Sequence, residues 1–142
     1  MKKFTAIIVV LVLVSCGASK TITSKENVLY EVLTQQSDGG ASIHFFEILT
    51  EPNEIMMLQN DSHLKSKISS ADIQQSNFVI LNLGEKMTSG YTIGVESVVE
   101  TDRNIVITVK ETSPDPDAMV AQSISYPFSV VKINSKKEII IK

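Results

Sequence analysis

The sequence predicts a mainly β protein: an antiparallel sheet in a sandwich or open barrel, with one short helical insertion near residues 51–59. Three observations carry that expectation. Apolar residues recur at every second position in several short segments, the spacing of a half-buried strand. Clusters of Asp, Asn, Ser, Gly and Pro separate those segments at intervals that suit an all-β fold. Helix-start chemistry is concentrated at one place, around Pro52.

Residues 1–26 are set apart from the fold. Lys2 and Lys3 precede an unbroken apolar run from Ala6 to Val14, followed by Ser15, Cys16 and Gly17. A basic start, a short apolar core and a small residue before the break make an export signal. The run is far shorter than the roughly 20 apolar residues that span a bilayer. Leu13 to Cys16, LVSC, resembles the bacterial lipobox, in which the cysteine is lipidated and becomes the new N-terminus. The alternative is an ordinary secretory signal with an incidental cysteine. On the lipobox reading residues 1–15 are a signal peptide, and Cys16 to Glu26 form a lipidated start and polar tether. Residues 27–142 then make a single β-rich domain.

Within that domain Asn27 to Thr34 carries Val28, Tyr30 and Val32 at strand spacing, and Ser37-Asp38-Gly39-Gly40 is strong turn chemistry. Ala41 to Leu49 follows, with Phe45 and Phe46 adjacent, so coverage on both faces is expected and the unit reads as a hairpin. Thr50 is the expected N-cap of a helix with Pro52 in its first turn and Glu51 and Glu54 at the positive end of the dipole. Ile55 to Leu58 give it an apolar side, with Met56 and Met57 read as core contacts. Gln59 to Ser76 is polar and weakly periodic, hence irregular or frayed helix.

Phe78 to Leu83 is apolar at both parities except for Asn82, the pattern of a central strand buried on two sides. A polar loop from Gly84 to Gly90 leads to a strand from Tyr91, read as the return arm of a hairpin. Its apolar parity changes between Val95 and Val98, which points to a bulge or bend. Thr101 to Asn104 turns the chain, and Ile105, Ile107 and Val109 supply another strand. Ser113-Pro114-Asp115-Pro116-Asp117 excludes regular structure. Ile124 to Ile133 is again strand-like, but Pro127 demotes it to an edge or places a bulge near Tyr126. Asn134 to Lys137 turns, and Glu138 to Lys142 ends the count at six or seven strands.

Composition limits the chemistry. Cys16 is the only cysteine, so no disulfide forms within the chain. A domain of about 120 residues is large enough to depend on its core instead. Without Lys2 and Lys3 the chain keeps 11 of its 13 basic residues against 16 acidic ones, a net charge of −5. That argues against nucleic acid or anionic lipid as a partner of the folded part. His44, between Ile43 and Phe45, reads as a packed or edge residue, and His44 and His63 have no metal-ligand spacing. Asp115 and Asp117 read as a solvated loop and not a calcium site. No serine lies in a GxSxG elbow, and no phosphate-binding glycine pattern occurs. Without a convergent reactive set the expectation is a non-enzyme with no cofactor, no metal and no small-molecule substrate. The Gly84–Gly90 loop stands out: two glycines bracket it, Thr88 and Ser89 can bond its backbone, and Tyr91 follows with an amphipathic ring.

Three stretches together carry a family resemblance: LGEKMTSGYTIGVESV (83–98), SPDPDAMVAQSISYPFSVVKI (113–133) and the lipobox. They resemble the PrcB family of protease-complex lipoproteins, whose C-terminal domain is similar to about residues 78–133. Gly84, Thr88, Gly90, Tyr91, Pro114, Tyr126 and Pro127 sit at matching places. Met87 stands where proline is usual and Ser89 where a second glycine is usual. The resemblance implies a non-enzymatic lipoprotein of the bacterial envelope, lipid-anchored at the outer membrane or periplasmic face, that associates with an exported protein such as a protease and stabilises its complex. The partner-binding candidates are Gly84, Thr88, Ser89, Gly90 and Tyr91 in one loop and Pro114, Pro116, Tyr126 and Pro127 in the other. Thr-Ser-Gly-Tyr after a strand also resembles the Asn-Pro-Thr-Thr-Gly-Tyr loop of chagasin-like protease inhibitors, but Glu85-Lys86-Met87 replaces its start and the chain has no tryptophan. A structural envelope lipoprotein without a dedicated ligand is the third alternative.

Overall fold

The computed structural model describes residues 28–142; the expected signal peptide, Cys16 and the tether lie outside the described residues. Seven strands form two sheets. The first is antiparallel, in the order β1 (Tyr30–Gln36), β6 (Phe128–Ile133), β3 (Asn77–Asn82), β2 (Phe45–Leu49). The second has the order β4 (Thr92–Glu100), β5 (Asn104–Thr112), β7 (Glu138–Ile141), with β4–β5 antiparallel and β5–β7 parallel. The sheets face each other across one core: Val79, Leu81, Val131 and Ile133 meet Ile93, Ile105, Ile107 and Ile139. The mainly β sandwich expected from the sequence is therefore the fold.

A second cluster lies on the other face of the first sheet. Phe78, Leu33, Leu49 and Val130 pack there against Ile55 of α1 (Pro52–Leu58), Leu64, Ile68 and Ile73 of α2 (Ser70–Gln75). The central strand β3 is thus covered on both sides, with alternate residues feeding different clusters, as its unbroken apolar pattern predicts. Among the described residues no helix is long and apolar enough to cross a membrane.

Several local expectations are corrected. β1 and β2 do not form a hairpin; they occupy opposite edges of the first sheet, because each finds its partner in a buried central strand. Phe46 remains 37% exposed, so β2 is not covered on both faces. The bulge in β1 falls between Val32 and Thr34, which buries Leu33 and leaves Val32 exposed; Lys67 donates to the Leu33 carbonyl there. The α1 N-cap is Glu51 and not Thr50; both amides point at the Glu54 carboxylate, at 3.3 Å. Ile55 takes the core position, and Met56 and Met57 stay in solvent. The segment expected to be frayed contains α2, started by Ser69, whose hydroxyl accepts from the Asp72 amide while the Asp72 carboxylate accepts from the Ser69 amide at 2.8 Å. β3 and β4 do not pair either: residues 83–91 cross between the sheets. β6 is central despite Pro127, because the strand starts at Phe128 and the Pro127 carbonyl accepts from Leu83 at 2.9 Å, a bond that needs no proline donor. β7 pairs in parallel with β5 and not with β6. The bulge expected between Val95 and Val98 is present, between Val95 and Ser97.

A charged link ties α2 to β1 over the first sheet. Lys132 of β6, its side chain only 11% exposed, lies 2.9 Å from Glu31 and 3.3 Å from Asp72. Burial would raise the Asp72 pKa, but the Ser69 hydroxyl and amide and the Lys132 ammonium together outweigh it and hold the carboxyl below its ordinary value. Burial likewise pulls Lys132 down, and its bonds to Glu31 and Asp72 reverse that and raise it. A depressed carboxyl contributes stability that is complete above its unfolded pKa, about 3.9, and is lost as pH falls through the folded value. Acid titration of the thermal midpoint should therefore show a decline below about pH 4, and Asp72→Asn should flatten that limb. An unchanged acid limb in the variant would remove Asp72 from the account.

Candidate functional site

The two loops singled out in the sequence meet at one end of the sandwich. Residues 83–91 leave β3 and residues 113–127 connect β5 to β6, so the chain must cross between the sheets twice at this end. Hydrogen bonds latch the two crossings. Lys86 and Ser125 form an antiparallel bridge, exchanging two bonds of 2.9 Å. The Ser89 amide donates to the Ala121 carbonyl at 3.0 Å, and the Ser89 hydroxyl accepts from the Ala121 amide at 2.9 Å. Ser125 donates its hydroxyl to the Thr88 carbonyl at 2.8 Å, and the Thr88 hydroxyl turns to the Ser89 carbonyl.

The glycines fit this packing for steric reasons. Gly84 and Gly90 have φ of 80° and 93°, a region that side chains avoid. A β-carbon on Gly90 would come within 2.9 Å of the Pro114 ring, and one on Gly84 within 2.9 Å of the His44 amide nitrogen. Pro114 is therefore a packing partner of the first loop. Pro116 is exposed, in a short turn closed by a 2.9 Å bond from the Ala118 amide to the Asp115 carbonyl. Tyr91 is half-buried against the inter-sheet core, with the Lys86 ammonium 5.5 Å from its ring centroid. Pro127 is fully buried.

Tyr126 closes the cluster from the other side. Its hydroxyl donates to Glu85 at 3.1 Å, and its carbonyl accepts from Gly40 at 2.9 Å. The Glu85 carboxylate that accepts this proton raises the phenol pKa above its ordinary value, so Tyr126 is a poorer acid than a free tyrosine.

The structure thus brings together eight of the nine candidate residues, with Pro116 at the margin, but gives most of them internal work. What the latched loops expose is different. Met87 and Ile124, one residue beyond the bridge on each side, are 70% and 51% exposed, and Met119 is fully exposed. Each of these three apolar side chains is left in solvent by the loops. Their only sequence signal is apolar character inside otherwise polar loops, which alternation counts do not weigh.

Asn82 was also missed as a site residue. This buried side chain accepts from the Ala41 amide at 2.9 Å and donates to the Ala41 and Ile43 carbonyls, pinning the segment on which Gly84 rests. The signal was present: Asn82 is the one polar residue in the apolar run 78–83. His44 is an exposed edge residue whose Nε2 lies 2.7 Å from Glu111, bridging the two sheets. Among the described residues no three His, Cys, Asp or Glu side chains are grouped as a metal site would require.

No curated protein and no solved structure matches the chain. A family model does match part of it, from the start of β3 to just past β6, and that part contains both latched loops. Residues 77–134 are similar to the PrcB C-terminal domain, in agreement with the resemblance carried by the loop motifs.

Proposed function

We propose that the protein is a non-enzymatic, lipid-anchored lipoprotein of the bacterial envelope that binds and stabilises an exported protein, a protease complex being the partner class the family points to. One observation carries this reading: two loops held to each other by backbone and hydroxyl bonds present Met87, Met119 and Ile124 to solvent on a rigid base. Large apolar side chains left exposed on loops of one end are candidates for an interaction surface, and methionine adapts to a partner's contour. The similarity of residues 77–134 to the PrcB C-terminal domain supports the choice of partner. The absence of catalysis is supported by how the hydroxyls are used. Ser89, Ser125 and Thr88 are all engaged with backbone groups, and among the described residues no histidine or carboxylate is hydrogen-bonded to them. The signal and lipobox at Cys16 supply the anchor in this reading.

The test is cross-linking of the anchored protein in its own envelope. Met87→Asp combined with Ile124→Asp should abolish capture of the wild-type partner while changing stability by less than about 1 kcal/mol, as exposed substitutions do. Retained capture by the double variant would refute the loop surface, and a partner unconnected with proteolysis would refute the protease assignment.

A further inference from the structure

The two-sheet fold has four edges, and three carry a feature that discourages a further strand. β1 is bulged at Leu33, β4 is bulged between Val95 and Ser97, and β7 is four residues long with Lys137 and Lys142 at its ends. β2, five residues long with Glu47 at its centre, is not bulged: its register with β3 is uninterrupted from Phe45 to Leu49. The Leu83 amide bonds toward β6, so even-numbered residues of β3 bond toward β2. Their partners Phe45, Glu47 and Leu49 bond inward, which leaves the backbone N–H and C=O of Phe46 and Ile48 directed off the sheet. Both of those side chains are 37% exposed.

The helix-side face of the same strand adds a groove of about 260 Å³, lined by Glu47, Leu49, Ile80, Glu54, Met57 and Leu58. Its floor is apolar, and its two charged groups are carboxylates that have no ion-pair partner among the described residues. A lysine or arginine suits that combination, with its methylene stem on the apolar floor and its charged head at Glu47 and Glu54. The far end of the edge is occupied, since Lys136 donates to the Thr50 carbonyl at 2.7 Å.

We propose that β2 is a strand-addition site, separate from the latched loops, for an extended segment of another protein in which apolar and basic residues alternate. Apolar side chains of the added strand lie beside Phe46 and Ile48, and the basic ones enter the groove on the opposite face. A second copy of this chain fits poorly. Two β2 strands that pair Phe46 with Ile48 set Glu47 opposite its own counterpart. β2 lies outside residues 77–134, so the site is not part of the span similar to the PrcB C-terminal domain.

The experiment titrates the full chain with two blocked peptides of seven residues, one alternating valine and lysine, the other valine and glutamate, followed by amide NMR shifts. The lysine peptide should bind with shifts centred on Phe45–Leu49. The glutamate peptide should not bind, and N-methylation of alternate amides on the lysine peptide should abolish binding. Glu47→Lys should weaken the lysine peptide about tenfold, the size of a 1.4 kcal/mol charge contact. No binding of the lysine peptide, shifts centred on the latched loops or on β7, unchanged affinity in Glu47→Lys, or self-association through β2 would each overturn the proposal.

Discussion

Val79→Asp is expected to leave the protein without a cooperative unfolding transition. Val79 is completely buried on the sandwich side of β3, in the cluster that joins Leu81, Val131, Ile105 and Ile107. An ionised aspartate there has no partner and no route to water, and the cost exceeds about 4 kcal/mol. That is a large part of the stability of an ordinary domain, which is about 5–15 kcal/mol. The neighbouring Ile80→Asp should be much milder, about 1–3 kcal/mol. Ile80 faces the helix side and lines the open groove, where a carboxylate can remain hydrated, although it would sit near Glu47 and Glu54. Thermal and urea denaturation of the two variants settles the order. Equal loss would mean that the two faces of β3 are covered alike, which the placement of Ile80 at a solvent-open groove does not permit.

The contrast between those neighbours marks what the sequence could show. An apolar run at both parities announces a strand covered twice, and Phe78 to Leu83 is such a strand. The parity change after Val95 announces a bulge, and it is there. Such features follow from residues a few positions apart. Partner choice does not. Ser37 to Gly40 has turn chemistry strong enough to suggest a hairpin, yet β1 joins β6, about a hundred residues later, because a strand's edge carries no mark of which other edge it fits. The same blindness made a hairpin of residues 78–98, whose two strands lie in different sheets. The α2 start was written in Ser69 and Asp72, a capping-box pair followed by Ile73, but the polar segment around it hid the signal.

The site was legible in location more than in role. Glycines and prolines at 84, 90, 114 and 127 indicated where the backbone must turn sharply or pack closely, and steric contacts do place Gly90 against Pro114. Hydroxyl residues indicated local bonding, but could not show that Ser89 and Ser125 bond the opposite loop. Which side chains would be left in solvent depends on that latch. Met87 and Ile124 therefore emerge only from the fold.

Asn82→Leu is expected to destabilise the protein by about 1–3 kcal/mol, with the damage concentrated at the loop end. Leucine matches asparagine in heavy-atom count and branching, so the loss is chiefly polar: the Ala41 amide and the Ala41 and Ile43 carbonyls all lose their partner. Ala41 and Ile43 are exposed, so water recovers part of each bond and the whole domain should still fold. The segment from Gly40 to His44 supports the first loop at two points, through the 3.0 Å bond from the Glu85 amide to the Ser42 carbonyl and through the backbone against Gly84. Hydrogen exchange should therefore quicken at Ala41 and Glu85 while amides of β5 keep their protection. Asn82→Asp should be at least as harmful, since it turns a carboxylate toward two carbonyl oxygens. If the latched loops are the contact surface, Asn82→Leu should also weaken partner capture although Met87, Met119 and Ile124 are untouched. Capture at wild-type strength with accelerated exchange at Glu85 would show that the surface does not depend on a rigid base. Unchanged exchange at both amides would show that Asn82 does not hold the segment at all.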